Sequence, residues 1–180
     1  NQTDEGQNSD DINYGFQLFE SGFLEFADTL NTDSLKSGLL NAFDIYDEDN
    51  NKIAHIDAEA LAEFNFEFFL PRLNKMLEKR AFKLNVQTAN DYESTNDILI
   101  NGERIKLYTN EELENGDFWE LASKNFFKEI NSQLNSNGIT ESFYLLYGGN
   151  DLHVLLLTAN QHKIIAEKYK NDTTEIPYLP

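Results

Sequence analysis

The chain has 180 residues, 40% of them hydrophobic and 13% aromatic, with fourteen Phe and eight Tyr, enough for one packed domain and too apolar for a disordered chain. Thirty-two acids against fourteen bases give a net charge of −18, which repels phosphate backbones and anionic lipid and disfavours nucleic-acid or membrane-surface binding. Cysteine is absent, which excludes disulfides, thiolate catalysis and Cys-ligated zinc, and no apolar run approaches the roughly 20 residues needed to span a bilayer.

Residues 1–11 hold four acids and no base and are expected to form a flexible acidic leader, with a single domain over residues 12–180. A polar start at Asn1 fits either an ordinary terminus or a segment that follows a removed signal or lipoprotein leader. Phe16, Phe19, Phe23, Phe26 and Leu30 recur three or four apart, which predicts one apolar helical stripe. Thr32, Asp33 and Ser34 offer N-caps for a shorter helix carrying Leu35, Leu39 and Phe43. A hairpin is expected next, pairing residues 45–46 with 53–56 around the turn-rich run 47–51.

A long helix is predicted over residues 58–80, kinked or divided at Pro71. Residues 82–88 read as a strand and 89–96 as a loop. Asn101-Gly102 between two apolar runs predicts a type I′ hairpin. That turn puts Ile98, Ile100, Ile105 and Leu107 on one face and Leu99, Arg104 and Lys106 on the other. A second long helix should start near Asp117, carry Trp119, Ala122, Phe126 and Ile130 on one stripe, and stop at Gly138. The last hairpin, 143–147 with 152–157, is apolar on both faces and belongs at a sheet centre. A short helix over 160–170 and an irregular tail follow. Residues 52–86 and 104–146 both read strand, acidic turn, aromatic helix, strand, an echo that either a duplication or convergent packing produces. The fold class is therefore α+β: an antiparallel-rich sheet of about six strands in hairpins, two long helices on it, and short helices towards both ends.

Chemistry-bearing motifs are sparse. Asp47, Asp49 and Asn51 match the opening of a calcium-binding EF-hand loop, but Lys52 stands where Gly is needed. Ala54 replaces a branched residue, and Ala58 takes the place of the bidentate Glu, with Glu59 one residue late. His55, His153 and His162 lack zinc-ligand spacing. Gly148-Gly149 joins two strands and lacks the features of a phosphate loop. Two Asn-x-Thr sequons, at Asn1 and Asn171, are too short a pattern to carry weight. No catalytic, metal or cofactor site is assigned.

Charge placement says more. On the two long predicted helices, acids come early and bases late, as the helix dipole favours. Residues 1–50, however, hold twelve acids and one base, Lys36, a net of −11, against −7 for the remaining 130 residues. Glu20, Glu25, Asp28, Asp33, Asp44, Asp47, Glu48 and Asp49 form the most unbalanced folded stretch and are the candidate partner-binding residues. The expectation is a non-enzymatic acidic domain that binds a basic protein, such as a bacterial immunity or antitoxin-type inhibitor of a toxin, located in the cytoplasm. The alternatives are a cell-envelope domain with a lipid anchor upstream of Asn1, and a hydrolase working through carboxylates alone.

Overall fold

A computed structural model of the chain describes residues 4–180, with the backbone alone described for residues 4–8. Helix α1 (Asp4–Glu20) begins within the segment expected to be a flexible acidic leader, so backbone helix continues upstream of the apolar stripe. It ends before that stripe does. Gly22 takes φ +85, and the chain turns so that Phe23 is buried while Leu30 is 97% exposed. Helix α2 (Thr32–Ala42) folds back against α1. Their backbones meet at Gly15, where a methyl group would overlap the Leu39 carbonyl oxygen.

No hairpin forms at residues 45–56. Strand β1 (Ile53–His55) pairs instead with the distant strand β6 (His153–Leu157), and 45–46 stay outside any strand. The long helix expected over 58–80 is in three pieces: α3 (Ala58–Ala62), a 3₁₀ turn (Phe66–Phe68) and α4 (Leu70–Glu78). The break falls at Phe64, held at φ +65, and the Tyr108 hydroxyl donates 2.7 Å to the freed Ala62 carbonyl. Pro71 sits in the first turn of α4, where its missing N–H costs nothing, so it opens a helix there.

Strand β2 (Val86–Thr88) is shorter than expected, and the following loop contains α5 (Tyr92–Thr95). Strands β3 (Asp97–Ile100) and β4 (Glu103–Lys106) form the hairpin through Asn101 and Gly102, both at positive φ. Ile98 faces Ile105 and Leu99 faces Arg104, the register read from the sequence. A capped helix not expected from the sequence, α6 (Asn110–Asn115), precedes α7 (Phe118–Ser136), which ends before Gly138 at φ +74. Strands β5 (Ser142–Leu146) and β6 (His153–Leu157), helix α8 (Ala159–Lys168) and the tail complete the chain.

The strands make two sheets of three, β1-β6-β5 and β2-β3-β4, where one sheet of six was expected. The fold is nonetheless α+β and antiparallel throughout. The first sheet lies at the centre. Phe143, Leu145, Val154 and Leu156 face a core made with α3, α4, α7 and the inner face of the second sheet. Tyr144, Leu146, Leu155 and Leu157 face a second core with α1, α2 and α8. That accounts for the apolar residues on both faces of the last hairpin. Exchanging β1 with β4, β2 with β5 and β3 with β6 maps one sheet order onto the other. In this arrangement the pairs β2–β3 and β5–β6 are each completed by the first strand of the other half, β4 and β1, a topology that agrees with the echo in the sequence.

Candidate partner-binding face

The stretch from Asp28 to Asp49 is brought together by its own hydrogen bonds. The Asp28 amide donates to the Asp49 carbonyl at 2.9 Å, and Asn31 Nδ2 donates to the Asp49 carboxylate at 2.6 Å. Asp33 lies in the first turn of α2, two residues beyond Asn31. Asp28, Asp33, Asp47, Glu48 and Asp49 therefore share one surface. Glu20, exposed at the end of α1, and Asp44, whose carboxylate accepts from the Tyr46 amide at 3.0 Å, are not tied into it. Glu25 belongs elsewhere, beside Lys52 and Glu141 on the rim of a separate hollow.

The acids on this face are unequal. Asp28 pairs with Lys75 at 3.0 Å, and the Lys75 hydrogen bond, aided by Asn51, holds its carboxyl below the usual aspartate value. Glu48 lies 3.9 Å from Arg72. Asp47 accepts the Asp49 amide at 3.0 Å and caps a 3₁₀ turn. Exposed Asp33 carries no such neutralising contact among the described residues. Leu30, in the 3₁₀ turn between Asp28 and Asn31, is 97% exposed. The sequence placed Leu30 on a buried stripe because its spacing from Phe26 is helical. The local sign that the helix stops at Glu20 is Gly22, at φ +85, which the apolar spacing outweighed in the sequence.

The turn behind this face is rigid for reasons that answer the EF-hand resemblance. Asn50 and Asn51 are buried, and neither side chain points outward. Asn50 Nδ2 donates to the Ile45 carbonyl at 3.0 Å, while Asn51 Nδ2 reaches the Phe26 carbonyl at 2.8 Å and Asp28 at 3.1 Å. Arg72 donates to the Glu48 carbonyl and, at 3.1 Å, to that of Ile53. Polar residues that resembled cation ligands thus work as turn and anchor. Among the described residues, no group of three or more His, Asp or Glu is arranged to hold a metal ion.

Lys52 leaves the turn for the interior. Its ammonium lies 2.5 Å from Glu141 and 2.8 Å from Gln161 Oε1. Arg80 grips the same carboxylate with Nε and Nη2, both at 2.7 Å, and its guanidinium lies 4.1 Å from the Phe26 ring centre. The side chains of Lys52, Arg80 and Glu141 are 2%, 3% and 7% exposed. Burial pushes the Lys52 ammonium down to about 8 against the opposing pull of Glu141. Burial also raises Glu141, but the Arg80 hydrogen bond and the Lys52 charge outweigh it, and its carboxyl stays below the usual glutamate value. No sequence signal marks this triad, since its members lie in three separate connecting segments, before β1, after α4 and before β5.

The histidines are held by main-chain oxygens. His55 and His153 oppose each other across β1 and β6 with ring centres 5.1 Å apart, and bond the Asn150 and Asp151 carbonyls. His162 stacks on Tyr144 and bonds the Pro177 carbonyl. No helix among the described residues is long and apolar enough to cross a membrane. Comparison of the chain with protein-family profiles, curated proteins and solved structures gives no match.

Proposed function

We propose that this chain is a non-enzymatic acidic binding domain of the immunity or antitoxin type, acting in the cytoplasm. It would hold a basic protein, such as a nuclease toxin, against the face formed by residues 28–33 and 47–49. The observation that supports this reading most is Leu30. It is 97% exposed in the 3₁₀ turn Thr29–Asn31, whose flanking Asp28 and Asn31 are hydrogen-bonded to Asp49, and Asp33 follows three residues on. An apolar anchor inside a charged rim has the composition of a protein interface, and a pinned loop loses little entropy when covered. The acids would act mainly on the rate of encounter and the choice of partner.

The test is binding to basic proteins taken from the products of the genes flanking this one. Leu30→Ala is expected to weaken the complex by about tenfold or more through faster dissociation, as an interface anchor does. Asp33→Lys should slow association, and added salt should slow it further. An affinity that neither substitution changes would remove the face from consideration.

A further inference from the structure

Among the described residues the two sheets have four outer edges, β1 and β5 on one and β2 and β4 on the other. Three are guarded. Arg72 donates to the Ile53 carbonyl of β1 at 3.1 Å, and the tail covers β5 through Tyr178. Strand β4 carries Arg104 and Lys106, and charged side chains deter a further strand. The fourth edge, β2, is Val86-Gln87-Thr88, without charge or proline.

Pairing shows which of its groups are free. Gln87 lies opposite Leu99. On either side, the Asn85 carbonyl accepts from the Asn101 amide at 2.8 Å and the Ala89 amide donates to the Asp97 carbonyl at 3.0 Å. Residues 85, 87 and 89 thus address β3, and alternation turns the N–H and C=O of 84, 86 and 88 outward. Leu84 is taken: Asn74 of α4 donates to its carbonyl at 3.0 Å and accepts from its amide at 2.8 Å. The outward amides and carbonyls of Val86 and Thr88 have no partner among the described residues.

The other half of the fold shows what such an edge accepts. Asn131 of α7 clamps Phe143 of β5 in the same way, donating 2.9 Å to its carbonyl and accepting 2.6 Å from its amide. Strand β5 corresponds to β2 in the exchange of sheets, and two residues past the clamp Leu145 trades both hydrogen bonds with Tyr178. The matching residue of β2, two past Leu84, is Val86. An extended segment therefore already lies on β5 where Val86 offers the same contact on β2.

We propose that a second copy of this chain adds to the sheet along β2, antiparallel about a two-fold axis at Gln87. The free groups set the register. With Gln87 on the axis, Val86 meets Thr88 of the second copy and the two exchange both hydrogen bonds, as do their symmetry mates. An axis at Val86 would need the Leu84 groups that Asn74 holds, and one at Thr88 would need Asn90, where the chain turns. The net charge of −18 does not forbid the approach, because no acid lies between Glu78 and Asp91. The same register brings exposed Lys83 towards exposed Asp91 of the second copy, which also holds its own Arg104. This edge shares no residue with the face around Leu30, so the two readings fail separately.

Sedimentation equilibrium between about 10 μM and 1 mM tests it, since a contact this short makes a weak dimer. The parent should dimerise reversibly, and the Val86 and Thr88 amides should gain protection from hydrogen exchange as concentration rises. Thr88→Pro removes an outward N–H from each copy and should weaken association about tenfold. Gln87→Lys changes an exposed side chain, opposes like charges on the axis and should weaken association about fivefold with an unchanged urea midpoint. An equal mixture of Gln87→Lys and Gln87→Glu proteins should associate more tightly than either alone, as only this register allows. A parent monomeric to about 1 mM would overturn the proposal and leave the edge to an extended segment of another protein. A dimer indifferent to both single substitutions, or a mixture no tighter than its components, would overturn it too.

Discussion

Glu141→Gln removes the one carboxylate that two buried cations share. Three charge-assisted hydrogen bonds converge on it, from Lys52 Nζ, Arg80 Nε and Arg80 Nη2, all within 2.7 Å. The amide keeps the shape, but it cannot neutralise two positive side chains that are only 2% and 3% exposed. Breaking a buried ion pair by removing one partner costs about 3–5 kcal/mol. With two cations stranded, the upper part of that range applies, and for a chain of this length the melting temperature should fall by roughly 10 °C. Urea denaturation followed by Trp119 fluorescence and by circular dichroism measures the change. Because native Glu141 titrates below its unfolded value of about 4.3, its stabilisation is present above that pH and is lost as pH falls through the native pKa. Lys52 also titrates lower in the native state, about 8, than in the unfolded chain. The native state therefore binds fewer protons above pH 8, and stability should rise between about pH 8 and 9.5. Lys52→Met should abolish that rise and cost less than Glu141→Gln, since Arg80 keeps the carboxylate. A loss below about 1 kcal/mol for Glu141→Gln at pH 7, or the same alkaline slope in Lys52→Met as in the parent, would refute this reasoning.

Other substitutions probe packing and edges. Gly15→Ala forces a methyl group onto the Leu39 carbonyl and should separate α1 from α2, lowering stability by about 3 kcal/mol in the same urea assay. Gly102→Ala meets nothing within 4 Å, so its cost should be the backbone term of positive φ alone, about 1 kcal/mol, with the hairpin retained by NMR. Deleting residues 176–180 removes the two Leu145–Tyr178 backbone hydrogen bonds, at 2.7 and 2.8 Å, that cover the outer edge of β5. The bared strand should make the protein associate further than the full chain does with rising concentration in analytical ultracentrifugation, and a variant that sediments like the full chain would show that the tail does not guard this edge.

What proved legible beforehand depended on short-range chemistry. Asn101-Gly102 demands positive φ at two consecutive residues, which only a few residue types tolerate, so the hairpin and its register followed from that turn and the alternation of residues 98–100 and 104–107 beside it. Gly138 ended α7 for the same reason. The helix expected over 58–80 failed because its apolar spacing survives a break. Of the stripe Leu61, Phe64, Phe68, Leu73 and Leu77, the three leucines are buried, whereas Phe64 is half-buried and Phe68 is 69% exposed. The rings of Phe64, Tyr92 and Tyr108 meet across the gap, and the Tyr108 hydroxyl takes the Ala62 carbonyl. Of the eight acids singled out, the structure gathers five, and what distinguishes that face is Leu30, whose exposure no local pattern announces.

Composition and local pattern alone determined the α+β class, the acidic surface, the Asn-Gly hairpin and the apolar character of the central strands. Each depends on residues within one or two turns of each other, or on sums over the whole chain. Tertiary structure decided the rest: that β1 joins β6 in place of a neighbouring strand, that six strands divide into two sheets, and that Lys52 turns inward to Glu141. It also decided which acids are answered by Lys75 or Arg72, and that the tail covers β5 while the outward groups of β2 stay unpaired among the described residues. Such outcomes rest on contacts between residues far apart in the chain. There the favourable term comes from surface buried jointly by several elements, and no single segment carries that information.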